Sequence, residues 1–179
     1  MKVYIKAAHS DFSPGAVFYG RREYDDVLKF GRLIKKYLEA KFGISAELYS
    51  GHEPEEMTED DLLIVLHRGS NMKNSEKYGA CVTVKSNASA DIQYHAYRLL
   101  MGICGKRGFR YGGVHVFTEK NPHKSFERSK PQKAFLFMIG FIDSAKDNRI
   151  FDNEDSFLAY QLSFRISEII KESENEDHG

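Results

Sequence analysis

Three largely apolar runs stand out along the chain, each of the length that a buried strand has. They cover residues 3–8, 62–66 and 134–141, and the last of them is the most apolar stretch of the sequence. Runs of four to eight apolar residues between polar segments are typical of strands inside a mainly parallel sheet. We therefore predict that these runs form the central strands of one sheet. Shorter runs at 46–49, 80–84 and 114–117 predict three more strands.

Between these strands, apolar residues recur at the three- and four-residue spacing of an amphipathic helix. Three such stripes are present. They are Val27, Phe30, Ile34 and Leu38; Ile92, Ala96, Leu99 or Leu100, and Ile103; and Leu158, Leu162, Ile166 and Ile169. Strands that alternate with helices indicate a three-layer α/β fold, in which a mostly parallel, twisted sheet is flanked by helices.

The domain boundaries follow from length and from one change in composition. A chain of 179 residues suits a single domain. Residues 172–179 begin with six polar or acidic residues in succession and include no large apolar one, which is typical of a disordered segment. We therefore expect one domain over residues 1–171 and a disordered acidic tail over 172–179.

Charge and hydropathy exclude several classes of partner. Lys and Arg number 26, as do Asp and Glu, so no net field attracts nucleic acid or an anionic membrane. The chain opens directly on the first strand, without the features of a signal peptide, and no segment approaches the ~20 apolar residues of a membrane span. We expect a cytoplasmic location as synthesised. The two cysteines, Cys81 and Cys104, are predicted to be core thiols.

Three residues at the ends of these elements are candidate metal ligands. His9 follows the first strand, Glu23 opens the first helix, and His67 ends the strand at 62–66. Two imidazoles and one carboxylate form the protein ligand set of a catalytic zinc, whose fourth position stays open to water. The alternative is that each is an ordinary polar residue at an element boundary, where such residues serve as hydrogen-bonding groups or helix-start charges.

The stretches around these residues contain a series of short motifs in a fixed order. Residues 8–10, Ala-His-Ser, and 13–16, Ser-Pro-Gly-Ala, resemble the Gly-His-Gly and Asp-Pro-Gly-Ala turns that open the zinc-dependent N-acetylmuramoyl-L-alanine amidases. Glu23 follows Ala16 at the spacing of the glutamate ligand in that family. Residues 61–67, Asp-Leu-Leu-Ile-Val-Leu-His, are similar to the strand that carries the third ligand.

Two later motifs extend this resemblance over nearly the whole chain. Residues 106–110, Lys-Arg-Gly-Phe-Arg, resemble the family's Asn-Arg-Gly-Val-Lys, and residues 140–143, Gly-Phe-Ile-Asp, resemble its closing Gly-Phe-Ile-Asn/Asp. The likeness is strongest to the short, phage-type catalytic domains.

The resemblance implies a cofactor, a reaction and a partner. His9, Glu23 and His67 become ligands of one Zn²⁺. The reaction is hydrolysis of the amide between the lactyl group of muramic acid and L-alanine, so the expected partner is peptidoglycan or a muropeptide. A phage-lysin-like protein of this kind acts at the cell wall after its release. The resemblance does not indicate an oligomeric state.

The chain departs from the family pattern at the group that transfers protons. The family has a glutamate two residues before the Gly-Phe of the closing motif, and here that residue is Met138. A thioether neither takes nor gives a proton, whereas general acid–base catalysis typically contributes about 10²–10⁴-fold. Lys6 and Ala7 also replace an Asp-Pro pair, and Gly69 stands where an Asn commonly follows the third ligand.

These departures leave the catalytic residues unassigned and three functional alternatives open. A base on the polar connection at 118–133, either Glu127 or His123, could replace the missing glutamate. Without one, the protein is a pseudo-amidase that binds zinc and wall fragments. The third alternative is a related zinc hydrolase that acts on another small amide.

Overall fold

The structure is a computed structural model that describes residues 1–71 and 78–176. Within these residues it contains eight strands and four helices. In chain order they are β1 (Val3–Ala7), β2 (Val17–Phe18), β3 (Arg21–Arg22), α1 (Glu23–Phe42), β4 (Ala46–Tyr49), β5 (Leu62–Gly69), β6 (Ala80–Val84), α2 (Ala90–Ile103), β7 (Tyr111–Val116), α3 (Lys124–Glu127), β8 (Lys133–Phe141) and α4 (Ala145–Glu176).

Six strands form one sheet in the spatial order β4-β1-β5-β8-β6-β7. All neighbouring pairs are parallel except β8 with β6, which is antiparallel. The three apolar runs predicted as central strands are β1, β5 and β8, and they lie side by side. The prediction of a mostly parallel sheet with flanking helices is therefore confirmed. The sequence did not reveal the small β2–β3 hairpin, which forms a separate two-stranded sheet.

The two faces of the sheet are covered unequally. The three long helices α1, α2 and α4 pack together on one face, where their apolar stripes form the main core. The other face carries a smaller apolar cluster beneath α3 and neighbouring loops. This cluster contains Tyr4, Met57, Leu63, Val65, Phe117, Phe126, Ala134 and Leu136. Because no long helix covers this face within the described residues, it leaves room for a cleft.

The prediction of disorder is wrong for residues 172–176, because the helix α4 continues to Glu176. Glu172 accepts hydrogen bonds from Arg98 Nη1 at 2.8 and 2.7 Å, and Lys133 Nζ donates to Ser173 Oγ at 3.0 Å. These contacts hold the last turns of α4 to the domain although their composition is polar. Residues 177–179 lie outside the described residues.

The remaining differences concern polar segments and the cysteines. The polar connection predicted at 118–133 contains the short helix α3. Cys81 and Cys104 are free thiols that are half-buried, so they lie at the edge of the core and not in its centre. Burial raises the pKa of both and brings that of Cys104 to about 12. No helix in the described parts of the chain is long and apolar enough to cross a membrane.

Candidate metal centre

The fold brings His9 and His67 to the same edge of the sheet. β1 and β5 are adjacent and parallel, with Ala7 opposite Leu66, so the residues that follow each strand emerge side by side. The backbone turns sharply at His9, which has a positive φ of 71°. Glu23 is the first residue of α1, and its backbone N–H donates to Ala16 O at 2.9 Å. The three predicted ligands thus come from three elements that meet at one edge.

Their side chains converge on one carboxylate oxygen. Glu23 Oε1 lies 2.9 Å from His67 Nδ1 and 3.2 Å from His9 Nε2. The two imidazole rings are perpendicular, with centroids 5.2 Å apart. One donor atom from each residue lies within 4.8 Å of the others, and no other such group of His, Cys, Asp or Glu side chains occurs in the described residues. The structure therefore brings together the trio that the sequence predicts.

Backbone donors fix the carboxylate of Glu23, which is only 3% exposed. The N–H of Arg68 donates to Oε1 and the N–H of Ala16 donates to Oε2, both at 3.0 Å. Burial alone would raise the pKa of Glu23, but hydrogen bonds from His67, His9 and the Ala16 backbone outweigh it and hold the pKa well below its usual range. Glu23 is therefore an oriented anion between two imidazoles.

A glycine closes the loop around these ligands. Gly15 has a φ of +74°, in the left-handed region that glycine adopts readily. A Cβ at this position would lie 2.5 Å from Glu23 Oε2 and 2.5 Å from His9 Cδ2. The backbone of the Ser-Pro-Gly-Ala turn thus packs directly against both side chains, and only glycine leaves them in place.

A buried arginine, Arg68, holds the strand that carries His67 to the elements packed around it. The side chain of Arg68 is fully buried and donates to Asp26 Oδ2 at 2.6 Å, Asn148 Oδ1 at 2.6 Å and Phe141 O at 3.1 Å. Burial lowers the pKa of Arg68 to about 10, a shift that the charge of Asp26 opposes, so Arg68 stays charged at neutral pH. It joins β5 to α1, β8 and α4 just beyond His67. This support could not be read from the sequence, because Arg68 falls in a stretch that looks like a polar loop.

The donor set fits a zinc ion. Ligands at ~2.0–2.2 Å in a tetrahedral arrangement lie about 3.3–3.6 Å from one another, so the 2.9 and 3.2 Å from Glu23 Oε1 to the two imidazoles need only a few tenths of an ångström of opening. The second oxygen of Glu23 is held by Ala16, which is the kind of outer hydrogen bond that orients a metal ligand. His9, Glu23 and His67 would hold the ion.

His9 and His67 line a cleft of about 700 Å³ on the less covered face of the sheet, and Glu23 lies buried behind them. The floor of the cleft includes Leu63, Val65 and Leu136, and its polar rim includes Tyr49, Glu53 and Lys124. His52 also lines this cleft. An apolar floor with a few polar groups and a candidate metal centre is the usual form of a small-ligand site.

Of the two loop residues proposed as a replacement base, only His123 reaches the metal centre. Its ring lies against that of His67, with the centroids 4.3 Å apart, and it lines the cleft. Burial, with a contribution from His67, lowers the pKa of His123 to about 4. Glu127 instead accepts hydrogen bonds from Ser86 N and Oγ and does not line the cleft. The proposal of Glu127 as the base therefore loses its geometric ground.

Met138 lies beside the trio but not in the cleft. It pairs in register with His67, and its sulphur would lie 3.2 Å from a Cβ built on Gly69. The thioether therefore lies next to β5, the strand that carries His67. Lys6 stays on the cleft face, with Nζ 5.8 Å from the centroid of the Tyr49 ring. Burial lowers the pKa of Lys6, whereas the charge of Glu53 raises it.

Comparison with known proteins gives a clear result for the fold. No protein-family model and no curated protein sequence matches the chain. Among solved structures, it is similar to the amidase AmiC2 of Nostoc punctiforme, with a TM-score of 0.74, 18% identity, and coverage of 96% of this chain and 97% of that one. The amidase of Clostridium difficile 630 has a TM-score of 0.76 and 16% identity, with coverage of 95% of this chain and 96% of that one. The catalytic domain of the CD27L endolysin has a TM-score of 0.70 and 19% identity, with coverage of 93% and 96%. The chain therefore has the fold of the N-acetylmuramoyl-L-alanine amidases, as its motifs implied.

Proposed function

We propose that this protein is a zinc-dependent amidase that hydrolyses the bond between N-acetylmuramic acid and L-alanine in peptidoglycan. One observation carries the proposal. Donor atoms of His9, Glu23 and His67 converge within 4.8 Å, and the two histidines line a cleft, in a chain with the amidase fold. AmiC2 and the Clostridium difficile enzyme are themselves described as N-acetylmuramoyl-L-alanine amidases, which supports the choice of substrate.

The trio has the charge that this chemistry requires. Bound zinc supplies a Lewis acid that polarises the amide carbonyl and activates water. Two neutral imidazoles and the carboxylate of Glu23 leave a net positive charge on such a site. The hydrogen bonds from Ala16 and Arg68 keep Glu23 ionised and oriented, so the ligand geometry exists before substrate arrives.

His123 is the residue that supports proton transfer. A pKa of about 4 leaves its imidazole neutral at neutral pH, so a ring nitrogen is free to accept a proton from the attacking water. The same low pKa makes the ring a weaker base than an ordinary imidazole and, once protonated, a stronger acid toward the departing amine. It borders the cleft and contacts His67, as a group serving the metal centre must. Met138 occupies the sequence position of the family's acid and has no proton to exchange.

A second candidate function is binding without hydrolysis, and Met138 is the observation that favours it. If His123 does not replace the missing glutamate, the protein holds zinc and a wall fragment without cutting it. A third candidate keeps the chemistry and changes the substrate to another small amide, since Lys6, His52 and Glu53 give this cleft its own polar rim.

The test is mass analysis of the products after zinc-loaded protein is incubated with purified sacculi. The amidase proposal predicts release of stem peptides that begin with L-alanine by the wild type. His123→Ala should lose about 10²–10⁴-fold of this activity. Glu127→Ala, on the same loop but bound to Ser86, is the matched control and should retain it.

The other candidates predict different patterns. A binding protein releases nothing as wild type and gains activity in Met138→Glu, because a proton-transfer group returns to the metal centre. A hydrolase of another amide leaves sacculi intact both as wild type and as Met138→Glu. Its wild type cleaves small acyl-peptide substrates, and His123→Ala cleaves them more slowly. Equal activity of wild type and His123→Ala on sacculi would contradict the role given to His123.

A further inference from the structure

A second cleft, of about 710 Å³, lies at the same edge of the sheet as the metal centre but on the far side of β8. Residues from the loop after α2, the start of β7 and the first turns of α4 line it. From His67 the path runs across Met138 on β8 and Cys81 on β6 to β7, three strand spacings or about 14 Å. The two clefts share no lining residue.

Four cations line this second cleft, here called the basic cleft: Lys106, Arg110, Lys146 and Arg149. None of them forms an ion pair with a residue that the structure describes, and no Asp or Glu of the described chain lines the cleft. Such a concentration of unpaired positive charge is unusual in a chain with no net charge.

Most other arginines of this protein pair with carboxylates, and among the described residues Arg32 and Arg128 are the exceptions. Arg107 stands between Lys106 and Arg110, yet it pairs with Glu154 at 2.6 Å and does not line the basic cleft. Further arginines pair with carboxylates elsewhere, namely Arg21, Arg22, Arg68, Arg98 and Arg165. What distinguishes the basic cleft is that four cations line one cleft and have no ion-pair partner among the described residues. Like charges that converge in this way raise the local concentration of anions.

The cleft is also built from fixed parts. The ring of Tyr78 has Arg110 at 5.0 Å and Lys146 at 4.3 Å from its centroid, so it orients one cation from each side of the cleft. The backbone of Arg110 is held because its carbonyl accepts from Ala80 N at 2.9 Å. Gly108 lets the loop close, since a Cβ there would lie 2.3 Å from Ile103 O.

We propose that the basic cleft binds a compact phosphate group with at least two negative charges, such as a diphosphate or a phosphate monoester. Arginine forks bind phosphate oxygens in pairs and lysines add point charges, and this cleft has two of each. One carboxylate would match only one of the four cations. The cations face a single cleft and do not follow a long stripe, which favours a compact anion over a nucleic-acid strand.

The test is calorimetric titration of the metal-free protein with pyrophosphate at moderate ionic strength. The proposal predicts one-to-one binding that weakens as salt is added. Lys146→Gln with Arg149→Gln should raise the dissociation constant on the order of tenfold or more, because charge-assisted hydrogen bonds are lost. Arg32→Gln with Lys36→Gln, which removes the same charge from the exposed side of α1, is the matched control and should leave binding unchanged.

Two further measurements keep the result independent of folding and of the metal centre. Lys106→Gln alters only an exposed loop side chain and should also weaken binding, whereas His9→Ala with His67→Ala should bind pyrophosphate as the wild type does. Absence of binding by the wild type, equal losses in the cleft and control variants, or tighter binding of single-stranded oligothymidylate than of pyrophosphate would each overturn the proposal.

Discussion

Replacing Gly15 by alanine adds a single methyl group, but it should weaken zinc binding by at least about 10–100-fold. The new Cβ would lie 2.5 Å from Glu23 Oε2 and 2.5 Å from His9 Cδ2, whereas ordinary contact begins at 3.4 Å. Relief therefore requires a displacement of 0.9 Å (3.4 − 2.5) shared between the turn and the two side chains. Zinc–ligand distances tolerate only about 0.2 Å. The methyl group cannot be accommodated with both ligands in place.

Gly20→Ala provides the matched control. Its φ of +79° is close to the +74° of Gly15, but a Cβ there has nothing within 4 Å. Both variants therefore carry the same left-handed backbone cost, about 1–2 kcal/mol, and only one carries the clash. In competition with a chromophoric chelator, Gly15→Ala should bind zinc about 10–100-fold more weakly or worse, and Gly20→Ala should match the wild type. Wild-type affinity in Gly15→Ala, or equal loss in both, would refute this account of the turn.

Three other predictions concern the metal centre and its support. His9→Ala with His67→Ala should lose stoichiometric zinc in metal analysis, and wild-type affinity should fall in acid, because protons compete with the metal for its ligands; zinc retained by the double variant would exclude this ligand set. Arg68→Met should lower the free energy of unfolding by about 1.5–3 kcal/mol in denaturant titrations, since its buried charge-assisted hydrogen bonds are lost while Asp26 keeps Arg21 Nε at 2.7 Å; an unchanged midpoint would contradict this. The pKa of His123 is lowered to about 4 in the folded protein. As the pH falls from about 6.5 to about 4, the unfolded metal-free chain therefore binds a proton at this residue that the folded chain does not. The free energy of unfolding should decrease over this range, and it should decrease less in His123→Gln. Identical pH profiles for the two proteins would show that His123 titrates normally.

The sequence predicted the features that depend on local pattern. β1, β5 and β8 follow from apolar runs, and adjacent parallel strands necessarily bring the residues at their carboxyl ends together. Once His9 and His67 are assigned to strand ends, their proximity follows from the topology. Glu23 follows from its position at the start of α1, seven residues after Ala16, which ends the turn that contains Gly15.

The features that the sequence did not predict depend on contacts between distant segments. His123 lies in a polar stretch, and only the position of α3 over the sheet brings it against His67. The last turns of α4 look disordered by composition, but Arg98 holds Glu172 from another helix. The basic cleft likewise combines two separate segments, and net charge conceals it because acidic side chains elsewhere balance the total.

The most direct test of the central claim is X-ray absorption spectroscopy at the zinc edge on protein loaded with one equivalent of zinc. The account predicts one site with two imidazole nitrogens and a carboxylate oxygen at ~2.0–2.2 Å, and loss of the imidazole signature in His9→Ala with His67→Ala. A site with sulphur ligands, or an unchanged spectrum in the double variant, would place the metal elsewhere and contradict the proposed centre.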